Sequence, residues 1–166
     1  MIKTGDKLPE ATLWELQGEF TLGCPLGPTA VKVSEATRGK RIAIFGLPGA
    51  YTRTCSGQHV PGYAAAADKL KAKKVDEIWC VSVNDAMVMA AWGKDLGATG
   101  KVRMLGDGSA ELTKALGVET DLTARGMGIR SQRYSMLVED GVVKRFNLEQ
   151  PGKFEVSSAE KMLEQV

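Results

Sequence analysis

Two apolar, β-branched runs govern what this chain can become: Arg41-Ile42-Ala43-Ile44-Phe45 and Ile78-Trp79-Cys80-Val81-Ser82-Val83. Neither alternates with charged residues as a half-exposed strand would, so both read as strands covered on two faces. The segment between them, Tyr63 to Lys74, is rich in alanine, leucine and lysine and reads as a helix, with Pro61-Gly62 expected to interrupt an earlier helical stretch that opens near Thr54. Beyond Val83, Asn84 or Asp85 can cap a helix through Met87, Met89, Ala91 and Trp92 that Gly97 ends. Val102 to Leu105 is strand-like, and Ser109 is placed to cap a helix over Glu111 to Leu116, stopped by Gly117. Tyr134 to Val138 and Val142 to Phe146 flank Asp140-Gly141, a strong hairpin signal, and Ser158 to Gln165 closes the chain as an amphipathic helix. At the other end, Ala11 to Leu16 and Glu19 to Leu22 flank Gln17-Gly18 and read as a short hairpin. Strands and helices in alternation imply an α/β layered fold.

No repeat, low-complexity stretch or Pro/Ser-rich linker divides the 166 residues, so they are expected to form one domain over 1–166. Lys and Arg number 22 against 20 Asp and Glu, and the two signs are interleaved. That pattern argues against a nucleic-acid partner or a membrane surface, which call for a patch of one sign. No apolar run approaches the ~20 residues of a membrane span, and Met1 to Asp6 lacks a basic-then-apolar leader, which points to the cytosol. Three cysteines, Cys24, Cys55 and Cys80, make a poor disulfide framework there and are expected to be free thiols. With His59 as the single histidine, they also lack the paired spacing of a zinc site.

Cys55 stands where a buried strand hands over to a helix, in Gly46-Leu47-Pro48-Gly49-Ala50-Tyr51-Thr52-Arg53-Thr54-Cys55-Ser56. A thiol in the first helical turn faces unpaired backbone N–H groups and the positive end of the helix dipole, which favour the nucleophilic thiolate. A dithiol reductase or isomerase would carry a second cysteine three residues earlier. Thr52 occupies that position, so disulfide exchange through Cys-x-x-Cys is excluded, and its hydroxyl suits orienting a small polar substrate.

Pro48-x-x-x-Thr52-x-x-Cys55 resembles the active-site signature of peroxiredoxins. With His59-Val60-Pro61-Gly62-Tyr63, Val81-Ser82-Val83-Asn84-Asp85, Ala91-Trp92-Gly93 and Arg133-Tyr134-Ser135-Met136 in order, nearly the whole chain is similar to the type II, or peroxiredoxin V-like, group. The resemblance implies a thioredoxin-like fold, a central mixed sheet flanked by helices with an N-terminal β-hairpin. It also implies a thiol-dependent peroxidase acting on hydrogen peroxide and organic hydroperoxides without metal, haem, flavin or other cofactor, in a homodimer. Cys55 would be the peroxidatic cysteine, attacking a peroxide oxygen and leaving as a sulfenic acid. Thr52 would hydrogen-bond the peroxide, Pro48 would shield the sulfur, and Arg133 would stabilise thiolate and leaving oxygen. Arg130, three residues earlier in extended chain, would face the other way. Arg53 departs from the group, which commonly has proline between the two threonines; it puts a positive charge near the pocket mouth.

Cys80, 25 residues after Cys55, is familiar as a second cysteine in such proteins, but a side chain inside a central strand is better suited to packing than to a disulfide, which needs Cα atoms within about 7 Å. The C-terminal Glu155-Val156-Ser157-Ser158-Ala159 has serine where some relatives carry a resolving cysteine. One-cysteine behaviour is therefore expected, with the sulfenic acid reduced by glutathione with glutaredoxin or by thioredoxin. The alternative is a redox sensor that relays oxidation from the same thiol to a partner protein. Cys24 reads as an incidental surface thiol and His59 as a structural or supporting group. The Lys69, Lys71, Lys73 and Lys74 run reads as a solvated helix face, and Met87, Met89 and Trp92 as core or subunit contacts.

Overall fold

The computed structural model describes residues 1–18, 21–22 and 27–166. Its main sheet has seven strands in the order β2-β1-β5-β4-β3-β8-β9. The parallel centre is β3 (Arg41–Leu47), β4 (Glu77–Ser82) and β5 (Arg103–Gly106). On one side β8 (Tyr134–Glu139) runs antiparallel to β3 and is followed by β9 (Val142–Leu148); on the other, β1 (Thr12–Glu15) runs antiparallel to β5 and pairs with β2 (Thr29–Lys32). A separate ribbon pairs β6 (Glu119–Asp121) with β7 (Ile129–Ser131).

Strand periodicity divides β3 between two cores. Ala43, Phe45 and Leu47 face α2 (Val60–Ala72), α3 (Ala86–Asp95) and α5 (Ala159–Gln165), where Phe45 stacks on Tyr63 at 4.2 Å between centroids. Ile42 and Ile44 face the opposite layer with Leu112 and Leu116 of α4 (Glu111–Leu116). A four-residue helix, α1 (Val33–Ala36), follows β2. The mixed sheet flanked by helices agrees with the expected fold class.

Four local readings change. The antiparallel partner of β1 is Thr29–Lys32, reached by a longer excursion; of the expected second arm, Thr21 and Leu22 form no strand, and Glu19 and Phe20 lie outside the described residues. Pro61 and Gly62 do not interrupt the helix, because Pro61 falls at its first positions, where a missing N–H costs little, and the irregularity is taken up just before it by a π-helical turn over Cys55–His59. Asp107 rather than Ser109 caps α4, accepting from the N–H groups of Leu112 (3.2 Å) and Thr113 (2.8 Å). The β6–β7 ribbon carried no sequence signal long enough to be read. Asp85, Gly117 and Ser158 do act at the helix ends as expected, and Asp140 and Gly141 both take positive φ, 47° and 76°, in the tight β8–β9 turn.

Candidate active site

Strand β3 delivers its C-terminal end to a loop that is tied down before the chain turns helical. The N–H of Ala50 donates to Asn84 Oδ1 at 3.0 Å, and the same oxygen accepts from the Ser82 hydroxyl at 2.6 Å. Tyr51, held at φ 62°, donates its hydroxyl to Asp95 Oδ2 at 2.6 Å, and its phenol is pushed up to about 12 by that bond. Such a backbone costs a non-glycine residue roughly 1–2 kcal/mol, so the loop is over-determined by these ties. Gly46, at the start, faces the Tyr134 ring so closely that a side chain there would occupy the ring's place.

Cys55 opens the π-helical turn and is fully buried. Arg133 reaches it from the two-residue link between β7 and β8: Nη2 donates to Sγ at 3.1 Å, while Nη1 donates to His59 Nδ1 at 2.9 Å. The opposite ring nitrogen of His59, Nε2, lies 3.0 Å from the carbonyl of Ser157. A guanidinium only donates and a carbonyl only accepts, so these partners select the neutral imidazole with its proton on Nε2. Burial, and then the charge of Arg133, hold the histidine down at about 3. His59 is therefore an acceptor that aims Arg133, and it forms no ion pair with Cys55. The guanidinium also sits over the Phe154 ring, 5.7 Å from its centroid, and Phe154 packs edge-on against His59.

Thr52 Oγ1 donates to the carbonyl of Gly49 at 2.8 Å, which leaves its lone pairs free to accept. Arg130 donates to the Pro48 carbonyl at 3.4 Å and to Met127 at 2.8 Å, supporting the loop without contacting the sulfur. Pro48, Thr52 and Arg133 together line a cavity of about 550 Å³. The structure thus gathers Pro48, Thr52, Cys55 and Arg133 in one place. Cys80 is fully buried in β4, paired in register with Phe45 and in the same core cluster as Cys55, and its thiol is pushed up by burial and then by Cys55. Cys24 lies outside the described residues.

Glu149, Ser157 and Phe154 were not legible as site residues. Glu149 Oε1 accepts from the N–H groups of Glu155, Val156 and Ser157 at 2.7, 2.7 and 2.8 Å and from the Ser157 hydroxyl at 2.8 Å. Burial pushes this carboxyl up, and the four donors outweigh it to hold the group below the usual range. The nest fixes the Ser157 carbonyl that receives His59, and the Tyr63 hydroxyl donates to the same carbonyl at 3.2 Å. Three successive N–H groups around one carboxylate depend on a turn conformation, which leaves no mark in the residue types.

The arrangement offers a buried sulfur, a guanidinium that donates to it through one nitrogen, and an adjoining cavity with a hydroxyl acceptor, which is suited to attack on a small polar electrophile. The Redoxin family model matches residues 3–163. The chain is 49% identical over 164 residues to chloroplastic peroxiredoxin-2E of Arabidopsis thaliana, covering 98% of this chain and 68% of that protein. It is 48% identical to a reduced Prx3 of Vibrio vulnificus in complex with hydrogen peroxide, covering 99% of each chain with a TM-score of 0.91. A further crystal structure, from Burkholderia cenocepacia and described as a candidate thioredoxin reductase, is 58% identical over 100% of this chain and 98% of that one, with a TM-score of 0.95. With the signature around Cys55, these likenesses show that the chain belongs to the redoxin family as a type II peroxiredoxin of the thioredoxin-like superfamily, a thiol-dependent peroxidase.

Proposed function

We propose that Cys55 is the nucleophile of this peroxidase, that Thr52 and Arg133 bind and polarise the peroxide, and that Pro48 shields the sulfur. The observation that carries this reading is the single guanidinium shared between Cys55 Sγ and a neutral His59, at 3.1 and 2.9 Å. The Cys55 thiolate attacks the peroxide oxygen that bears hydrogen; an S–O bond forms as the O–O bond breaks, giving the sulfenic acid. The bonding pair departs on the second oxygen as hydroxide or alkoxide, which takes a proton from water. Sulfur loses two electrons and the peroxide gains two. Arg133 donates to the oxygen on which charge develops, and Thr52 accepts from the peroxide O–H.

A thiol then attacks the sulfenic sulfur, releasing water and leaving a mixed disulfide that a second thiol reduces. Glutathione with glutaredoxin, or thioredoxin, would supply these thiols. One-cysteine behaviour is supported by the complete burial of Cys80 within a central strand and by the upward shift of its thiol, both of which disfavour it as a resolving group. The exposed Tyr51 and Met87, near the loop and at the start of α3, support a homodimer that covers them. The free thiols Cys55 and Cys80 suit a reducing compartment, the cytosol in our reading. A coupled peroxide-consumption assay tests the assignment: Cys55→Ser is expected to abolish turnover, while Cys24→Ser and Cys80→Ser retain it. Turnover without Cys55 would overturn the mechanism.

A further inference from the structure

The cavity lined by Pro48, Thr52 and Arg133, the last of which donates to Cys55, is far larger than hydrogen peroxide requires. Its volume is about 550 Å³, whereas a water molecule claims ~30 Å³ and a peroxide roughly twice that. One part of its lining is apolar, from Pro48, Leu122, Met127 and Pro151, which suits a hydrocarbon body. Another part is cationic. Arg53, on the loop beside Thr52, and Arg125, at the end of the short 3-10 turn Thr123–Arg125 between β6 and β7, both line it. Both are exposed, and among the described residues neither side chain has a hydrogen bond or ion pair. Lys153 is also present, paired with Glu155 at 3.5 Å, but that pair is 58% and 66% exposed and neutralises little. The acidic group in the lining, Glu149, is turned to its own nest of N–H donors. The cavity therefore presents unspent positive charge at its mouth, an apolar wall, and Thr52 with Arg133 at its reactive end.

We infer that this cavity receives alkyl hydroperoxides that carry a carboxylate, the carboxylate lying toward Arg53 and Arg125 while the hydroperoxide group reaches Thr52 and Arg133. The inference rests on the peroxidase reading and deepens it by naming a substrate class. A hydroperoxide rather than an anionic thiol is the occupant because the geometry is that of reduced Cys55 held by Arg133, the state that meets peroxide. Arg53 stands where the resemblance calls for proline, so this part of the charge is not implied by the family signature.

The test uses cumene hydroperoxide bearing a para carboxylate, its methyl ester, and hydrogen peroxide. Single-turnover rate constants would be read from tryptophan fluorescence, because Trp92 donates to Ser56 at 3.0 Å, next to the reacting residue. The acid is expected to react about 5- to 10-fold faster than the ester at low salt, as two or three solvent-exposed charges can supply. The ratio should fall toward unity in molar salt and in the Arg53→Gln/Arg125→Gln double variant, with hydrogen peroxide as the reference that cancels any loss of active thiol. An acid-to-ester ratio near one in the native protein, with hydrogen peroxide still reduced, overturns the inference and leaves the peroxidase reading intact. A preference that survives the double variant, or one confined to the reducing step between 3-mercaptopropionate and mercaptoethanol, overturns it as well. Failure to reduce any peroxide would instead sink the underlying reading.

Discussion

At Arg133 one side chain holds two acceptors of different kinds, a sulfur and a ring nitrogen, and each constrains it from one side. Replacement by glutamine removes the charge and the fork; peroxide reduction by Cys55 is expected to fall by about 10²–10³, the usual cost of a lost oxyanion donor, with lysine intermediate. Stopped-flow rates for the variants check this, and a loss under tenfold in the glutamine variant would contradict it. His59 makes a separate prediction through pH. It titrates at about 3 when folded against 6.5 unfolded, so below 6.5 the unfolded chain binds the extra proton. Its contribution to stability is thus complete above 6.5 and is lost as pH falls toward 3, by at most ~1.4 kcal/mol per pH unit. Urea unfolding at pH 7 and pH 5 should show the native protein losing about 2 kcal/mol more than His59→Gln, and equal losses would contradict a buried neutral histidine.

Among the elements, the strand β3 and the segment 149–157 do the positioning. Gly46→Ala sets a methyl against the fully buried Tyr134 ring, so it is expected to cost about 1–3 kcal/mol in denaturant titration, whereas no effect would mean that β3 and β8 can part. Glu149→Gln keeps an acceptor but loses the charge on four donors. Amide hydrogens of 155–157 should then exchange at least about tenfold faster, and unchanged exchange would show that the nest does not depend on the carboxylate. Elements of this kind were unequally legible. The runs around Ile42 and Val81 announced buried strands because apolar continuity is written in residue types, and Asp140-Gly141 announced its hairpin because few other pairs tolerate two positive φ values. The π-helical turn at Cys55–His59, the Asp107 cap and the β6–β7 ribbon were not, since each is decided by tertiary contacts that override local preference.

Over the whole molecule, the sheet order brings the C-terminal end of β3, the start of β8 and the segment before α5 to one place, which is how residues as distant as Cys55, Arg133 and Ser157 meet. The signature around Cys55 was legible because thiol, hydroxyl and proline stand close in the chain. Arg133 was reached through resemblance, and Glu149 and Phe154 not at all, because their contribution exists only after folding. The same topology holds Cys80 buried inside the central strand, which disfavours it as a partner for the oxidised Cys55. The most direct test of the central claim is the intact and peptide mass of the fully reduced protein after one equivalent of hydrogen peroxide, quenched within seconds. The account predicts one added oxygen on the peptide that contains Cys55, none in Cys55→Ser, and no link to Cys80. Oxygen on another residue, unreacted peroxide, or a quantitative Cys55–Cys80 disulfide would contradict it.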